Sequence, residues 1–351
     1  MGFLFYFDAM KRLLQFILLM VFFAAIAAWL VLKPATAFNT DTATLVIQEG
    51  KTDAEAVVAG LKEAKIITAS FPFKQLANFA GVWTRLKPGK FEFKNGSSLL
   101  DIVRIFRNNK QAEAKLIITK LRTKQQFAKL LAKNFGFDSA TAIRFLNSND
   151  SLASFGVDTN TVMSLIIPDT YYYNWSVSMR RVMEKIALAQ KKFWEKDNRN
   201  QKATALNMSL AQVYTLASIV EEETTKHDEK GNIASVYINR LNIGMPMGAD
   251  PTVKFAVGDF SLKRILLVHT QVNSPYNTYR NKGLPPGPIC TPSGITIDAV
   301  LNAPKTDYLY CCAKADFSGY HHFANNYPLH LKYAAEYQKA LNELAAKKNN
   351  P

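Results

Sequence analysis

The chain has 351 residues, 48% hydrophobic and 20% charged, with a formal net charge of +15. That length exceeds one ordinary core and fits two domains plus an extra segment, while the composition excludes an intrinsically disordered chain. The positive excess suits a polyanionic setting, but the lysines are scattered and no nucleic-acid-binding module is recognisable, so nucleic acid is not an expected partner.

Leu13 to Leu32 is an uncharged run in which only Gln15 is polar. Its length matches the roughly 20 residues a helix needs to cross a bilayer. Residues 1–12 then form a tail, and Lys11 and Arg12 place that tail in the cytoplasm by the positive-inside rule, with Trp29 as an interfacial anchor. The expected location is the cytoplasmic (inner) membrane, single-pass, with everything after residue 33 on the extracytoplasmic side. Ala35-Thr36-Ala37 has the small-x-small form of a signal-peptidase site. The apolar run is longer than a usual signal core of roughly 7–15 residues, which favours an uncleaved anchor.

Pro34 to Thr44 reads as a short linker. Leu45-Val46-Ile47 suggests a strand, and Ala54 to Ala64 a helix with Val57, Val58 and Leu61 on one face and Asp53 as cap. A helix near Phe73–Phe79, an alternating strand at Lys90–Phe93 and a helix capped by Ser98 complete a small α+β unit over 40–110. Gly50-Lys51-Thr52 resembles the end of a phosphate-binding loop, but Leu45 stands where the motif needs glycine, which rejects it.

The second region, 115–345, begins with a strand at Ala114–Thr119. Helices follow near Thr123–Phe135 and Ser139–Asn147, then an aromatic, turn-rich stretch at Pro168–Tyr173. Further helices are expected over Ser176–Trp194, Ser209–Thr225 and Glu229–Asn242, the last ended by Gly244. Pro- and Gly-rich loops, a strand at Tyr308–Ala313 and a helix from Pro328 to Lys347 close the chain. The fold class is therefore α+β: an N-terminal transmembrane helix, a small α+β subdomain and a larger mixed α+β domain.

Cys290, Cys311 and Cys312 lack metal-ligand spacing and read as small apolar residues, so no structural metal is expected. Glu223 and His227 are four apart on one helix face, but no H-E-x-x-H accompanies them. No cofactor is expected.

Leu216 to Thr224 is the most informative stretch. With Leu216 at zero on a helix advancing about 100° per residue, Val220 lies at about +40°, Val213 at about +60° and Ile219 at about −60°. Glu223 falls at about −20°, inside this apolar stripe; Glu221 is at about +140°, on its edge, and Glu222 at about −120°, on the solvated side. A carboxyl on an apolar face resists ionisation, and a carboxylic acid kept protonated is what glycosidic cleavage needs. The bland alternative is a glutamate that escapes to solvent or pairs with Lys226.

Ala217-Ser218-Ile219-Val220-Glu221-Glu222-Glu223-Thr224 resembles a motif of the endolytic murein transglycosylases of the MltG/YceG type. So do Ala234–Leu241, Asp250-Pro251-Thr252-Val253, Ser274–Tyr279, Gly283–Ile289 and a closing segment around His321 and Phe323–His330. Ser293 departs from the glycine usual there. The resemblance implies a lyase in which Glu223 is catalytic, and it makes residues 40–110 similar to a LysM-like subdomain. It implies peptidoglycan glycan strands as substrate, peptidoglycan synthases as partners and 1,6-anhydro ends as product. On the matched motifs, Glu221, Asn239, Asp250, Thr252, Tyr276, Asn277 and Tyr279 are candidate substrate-binding residues. Asp250 has a competing role as cap for a helix starting at Pro251, and Tyr276 and Tyr279 as core aromatics. The rival functions are a muramidase using Glu223 with Glu221 or Asp250, and a non-catalytic scaffold for wall synthases.

Overall fold

The computed structural model describes residues 2–48, 50–262 and 264–349. The chain divides into two compact units, residues 1–114 with 172–177, and residues 115–171 with 178–351. Met1, at the start of the expected tail, lies outside the described residues.

The first unit opens with α1 (Gly2–Leu32). Its stretch Met10–Leu32, 23 residues, is long and apolar enough to cross a membrane. At about 1.5 Å per residue it spans about 34 Å, against a hydrocarbon core of about 30 Å. The expected linker is partly built into the fold. Ala35 is buried, its N–H donates to Ser97 O (2.9 Å), and its carbonyl accepts from Thr68 (3.1 Å). Strand β1 (Thr42–Ile47) pairs antiparallel with β2 (Gly89–Lys94), Leu45 opposite Phe91. Between them run α2 (Ala54–Glu63) and α3 (Ser70–Phe79), and after them α4 (Leu99–Arg107). Period-two alternation sends Phe91 and Phe93 inward, where both meet Phe106 of α4 edge-on at 5.0 and 5.4 Å. A Ser98–Asp101 capping box starts α4.

The second unit contains α5 (Lys124–Asn134), α6 (Ser139–Leu146), α7 (Asn149–Leu152), α8 (Met179–Glu195), α9 (Arg199–Ala205), α10 (Leu210–Glu223), α11 (Lys230–Asn242), α12 (Asp250–Val257), α13 (Gly294–Leu301) and α14 (Tyr327–Asn349). Strands β3 (Glu113–Ile117) and β4 (Thr170–Asn174) pair, as do β5 (Tyr310–Ala313) and β6 (His321–Ala324). Three local expectations are corrected. The turn-rich stretch at Pro168–Tyr173 contains β4, because Tyr171 and Tyr173 alternate inward. The helix expected from Ser176 begins at Met179, capped by Ser178. The loop region conceals α13, capped by Ser293 and carrying the buried Ile297 and Val300.

Helix α10 is the centre of this unit, and all eight residues from Val213 to Val220 are buried. Ser218, fully buried, returns its hydroxyl hydrogen to Thr215 O and accepts Ile289 N–H at 3.0 Å. The loop 283–289 is thereby fixed against the middle of the helix. Gly287 is required in that loop, since a Cβ there would lie 2.1 Å from the Asn160 carbonyl oxygen.

Candidate active site

Three consecutive carboxylates end α10, where the helix dipole already disfavours negative charge. Each solves the problem differently, because successive side chains leave a helix about 100° apart. Glu221 turns toward α13: its Oε2 accepts from Lys230 Nζ (2.9 Å), Ser293 Oγ (3.1 Å) and Thr296 Oγ1. Despite the cost of burial, these partners hold its pKa below the usual value. Lys230 is itself buried, so the pair is a structural ion pair.

Glu222 is not solvated, contrary to the helical-wheel expectation. Its side chain is only 15% exposed and pairs with Lys120 (3.1 Å) and Arg122 (2.9 Å), which also hold its pKa down against burial. The wheel sees only α10; the segment carrying Lys120 and Arg122 covers the face that would otherwise be wet.

Glu223 has no cation within ion-pair distance among the described residues. It forms part of the wall of a cavity of about 400 Å³ shared with Tyr237, Arg240, Gly248, Asp250, Tyr279, Tyr310, Cys311 and His321. Burial raises its pKa; the Tyr237 hydrogen bond opposes this, the Asp250 charge adds to it, and His321 and Lys254 pull weakly downward. The hydroxyl of Tyr237, on α11, donates to Glu223 Oε1 at 2.5 Å.

The rest of the wall is assembled from distant segments. Asp250 does not cap α12: it is the first helical residue after Ala249, and no side-chain cap bond forms. Its Oδ1 instead accepts from Tyr279 Oη at 2.7 Å. Arg240 is held by the carbonyls of Leu309 (2.6 Å) and Met247, with its guanidinium over Tyr310. Gly248, at φ +58, leaves room for Tyr279 and Arg240. Cys311 faces the cavity, its thiol pKa pushed up to about 12 by burial and next by the Glu223 charge. His321, on β6, is oriented by buried Glu229, which accepts both its backbone N–H (2.8 Å) and bonds its Nδ1 (3.0 Å).

Of the residues singled out in the sequence, Glu223, Asp250 and Tyr279 meet in this cavity. Glu221 is directed into the ion pair. Asn239 donates its amide to Thr306 O and Tyr308 O, both at 2.9 Å. Thr252 and Asn277 are fully buried; the first bonds Ala249 O and Thr278, and the second clamps Thr270 O and Val272 O. Tyr276 packs on Phe255 at 4.7 Å. These four build the frame, whereas Tyr237, Arg240 and Cys311, which the helical wheel of α10 could not find, line the cavity. The three cysteines are free thiols, and no group of three metal-ligating side chains occurs among the described residues.

A larger groove of about 1000 Å³ lies on the first unit, lined by Glu92, Lys94, Asp101, Lys110, Glu113 and neighbours. Asp101 in that groove is held below the usual carboxylate value by its hydrogen bonds with Ser98.

The chain is similar to an endolytic murein transglycosylase of Bacillus subtilis, 26% identical over 334 residues, covering 91% of this chain and 89% of that protein. One from Streptococcus pneumoniae is 32% identical over 176 residues, 49% of this chain and 31% of its own length. A 2.6 Å crystal structure of a yceG-like protein from Listeria monocytogenes superposes with a TM-score of 0.55 at 27% identity, over 84% of this chain and 99% of that one. The model of the YceG-like family matches residues 45–336, a span that holds every residue of the cavity wall, and the chain belongs to that family.

Proposed function

We propose that the Glu223 cavity cleaves peptidoglycan glycan strands as an endolytic lytic transglycosylase. The observation that carries this reading is Glu223 itself: of three adjacent carboxyls it alone lacks a cation, its pKa is raised by burial, and it lines the cavity. The names of the relatives supply the substrate class.

In the proposed reaction, protonated Glu223 gives its proton to the oxygen linking N-acetylmuramic acid to N-acetylglucosamine, and the C1–O bond breaks. The resulting carboxylate removes the proton from the muramic acid C6 hydroxyl, whose oxygen bonds to C1. The 1,6-anhydro end forms, and Glu223 regains its proton. The nucleophile is part of the substrate, so neither a protein nucleophile nor a positioned water is required. The Tyr237 hydrogen bond to Oε1 leaves Oε2 as the proton-carrying oxygen and steadies the carboxylate midway through the cycle. Asp250, held by Tyr279, sets a negative charge in the same cavity, which favours the cationic character developing at C1.

Asp250 also supports a second reading, hydrolysis of the same bond with Asp250 positioning water. Glu221 does not serve that role, being committed to Lys230. Mass spectrometry of purified glycan strands after digestion separates the two: 1,6-anhydro ends support the lyase and reducing ends the muramidase. A scaffold role alone is rejected if the Glu223→Gln protein fails to cut strands that the wild type cuts.

The proposed setting is the cytoplasmic membrane, with α1 as an uncleaved anchor, the tail inside and everything after residue 33 outside, acting on nascent strands beside peptidoglycan synthases. Lys11 and Arg12 support that orientation. Residues 40–110 are proposed as the LysM-like glycan-holding module.

A further inference from the structure

Outside α1, three consecutive apolar side chains stand in solvent on the loop after α12: Leu266 is 52% exposed, Leu267 84% and Val268 70%. A run of this kind on a soluble surface marks contact with a partner or a membrane. The loop is built, not frayed. The Leu266 N–H donates to His269 Nδ1 at 3.1 Å, Thr270 Oγ1 donates to Leu267 O at 2.8 Å, and the buried Asn277 amide holds Thr270 O and Val272 O. Arg280 donates to Gln271 O at 2.8 Å and remains exposed, as does Arg264 at the other foot of the loop.

Charge indicates what covers it. From Phe260 to Ile297 the chain has Lys263, Arg264, Arg280 and Lys282 and not one Asp or Glu. Apolar side chains projecting between arginines match a bilayer interface with anionic headgroups, where leucine enters the acyl boundary and arginine meets phosphate. A helix long and apolar enough to cross a membrane belongs to the same chain, so on the anchored reading such a surface is always within reach.

We propose that Leu266-Leu267-Val268 insert into the interface of an anionic bilayer, with Arg264 and Arg280 against lipid phosphates. This rests on reading α1 as a membrane anchor. The loop also shares a frame with the cavity. Asn277, which clamps the loop, accepts Tyr279 N–H at 3.1 Å, and Tyr279 holds Asp250 in the cavity wall. Seating the loop in lipid therefore sets the height of the Glu223 cavity above the membrane, where lipid-linked strands are presented.

The test uses the full chain in proteoliposomes. Leu267→Cys is introduced with Cys311 and Cys312 replaced by serine, buried Cys290 being left in place, and the thiol carries an environment-sensitive fluorophore. In vesicles containing phosphatidylglycerol, its emission should shift to the blue and be quenched by lipids bearing shallow nitroxides. A probe on Lys339→Cys should stay water-like. Water-like emission from position 267 in those vesicles overturns the proposal, as does a blue shift that appears only when a second protein is added. Equal insertion in uncharged vesicles overturns the role of the arginines. The unlabelled pair Leu267→Ser with Val268→Ser should cut soluble strands at the wild-type rate and lipid-linked strands more slowly. Failure of the wild type to cut soluble strands would instead count against the proposed enzyme activity, since the fluorescence readout is independent of it.

Discussion

Tyr237 Oη donates to Glu223 Oε1 at 2.5 Å, bridging two helices, α10 and α11, at the wall of the cavity. The bond opposes the effect of burial on Glu223: burial favours the neutral acid, and the phenol favours the carboxylate. In the proposed reaction Glu223 gives and then retrieves a proton, and a group with that task benefits from both.

Glu223→Gln keeps volume and hydrogen-bonding capacity but has no proton to transfer. Turnover on purified strands should fall by about 100-fold or more, with a Tm close to wild type because the amide matches the carboxyl in volume and still accepts the Tyr237 hydrogen bond. A folded variant that still forms chain ends at the wild-type rate would show that another group does the chemistry.

Tyr237→Phe removes stabilisation from the ionised form of Glu223, so its pKa rises further. Since the acid must begin protonated, the alkaline limb of the kcat/KM profile should move to higher pH, by about one unit for a bond to a charged group. The maximal rate should fall as well. A merely structural role for Tyr237 would lower activity without moving that limb. Asp250, His321 and Lys254 also act on Glu223 and should be intact in the comparison.

Glu221→Gln leaves Lys230 buried beside an uncharged partner. The loss should be about 3–5 kcal/mol, as for breaking a buried ion pair, visible as a lower denaturation midpoint. Replacing both residues, Glu221→Leu with Lys230→Met, should recover most of it. Persistence of wild-type stability in the single variant would mean the pair is solvated in solution.

Acid should destabilise the second unit through Glu221 and Glu222. Their folded pKa values are lowered, so their contribution is present above the ordinary value of 4.5 and lost as pH falls through the lowered values. Glu223 acts in the opposite sense: its contribution is present below 4.5 and lost as pH rises through its raised value. Tm measured against pH should therefore decline less on the alkaline side in Glu223→Gln than in wild type, and less on the acid side in Glu222→Gln.

An uncleaved anchor predicts that the membrane-bound protein retains residues 2–37. Ala35 is buried and hydrogen-bonded in the folded first unit, a poor substrate for a peptidase needing extended chain. Amino-terminal sequencing that begins at Phe38 would exclude the anchor.

What the sequence by itself determined is the set of properties that depend on near neighbours along the chain. Hydrophobic periodicity marked α10 and pointed Glu223 toward the apolar side, because rotation per residue is a local constant. The length and neutrality of Leu13–Leu32 marked a membrane-compatible helix for the same reason. The capping residues Asp53 and Ser98 located the starts of α2 and α4 to within a residue. Tertiary structure alone decided which partners those directions meet. Glu222 looked solvated until Arg122, 100 residues away, was folded onto its face. Asp250 looked like a cap until Tyr279 reached it, and Tyr237 became a partner of Glu223 only when α11 packed on α10. Helix α13 was hidden in a stretch read as Pro- and Gly-rich loop; its β-branched residues have weak helix propensity, and its stability comes from packing on α10 and α11. A helical wheel gives the direction of a side chain; the energy of a carboxyl depends on what stands in that direction, and that is set by contacts between segments far apart in the chain.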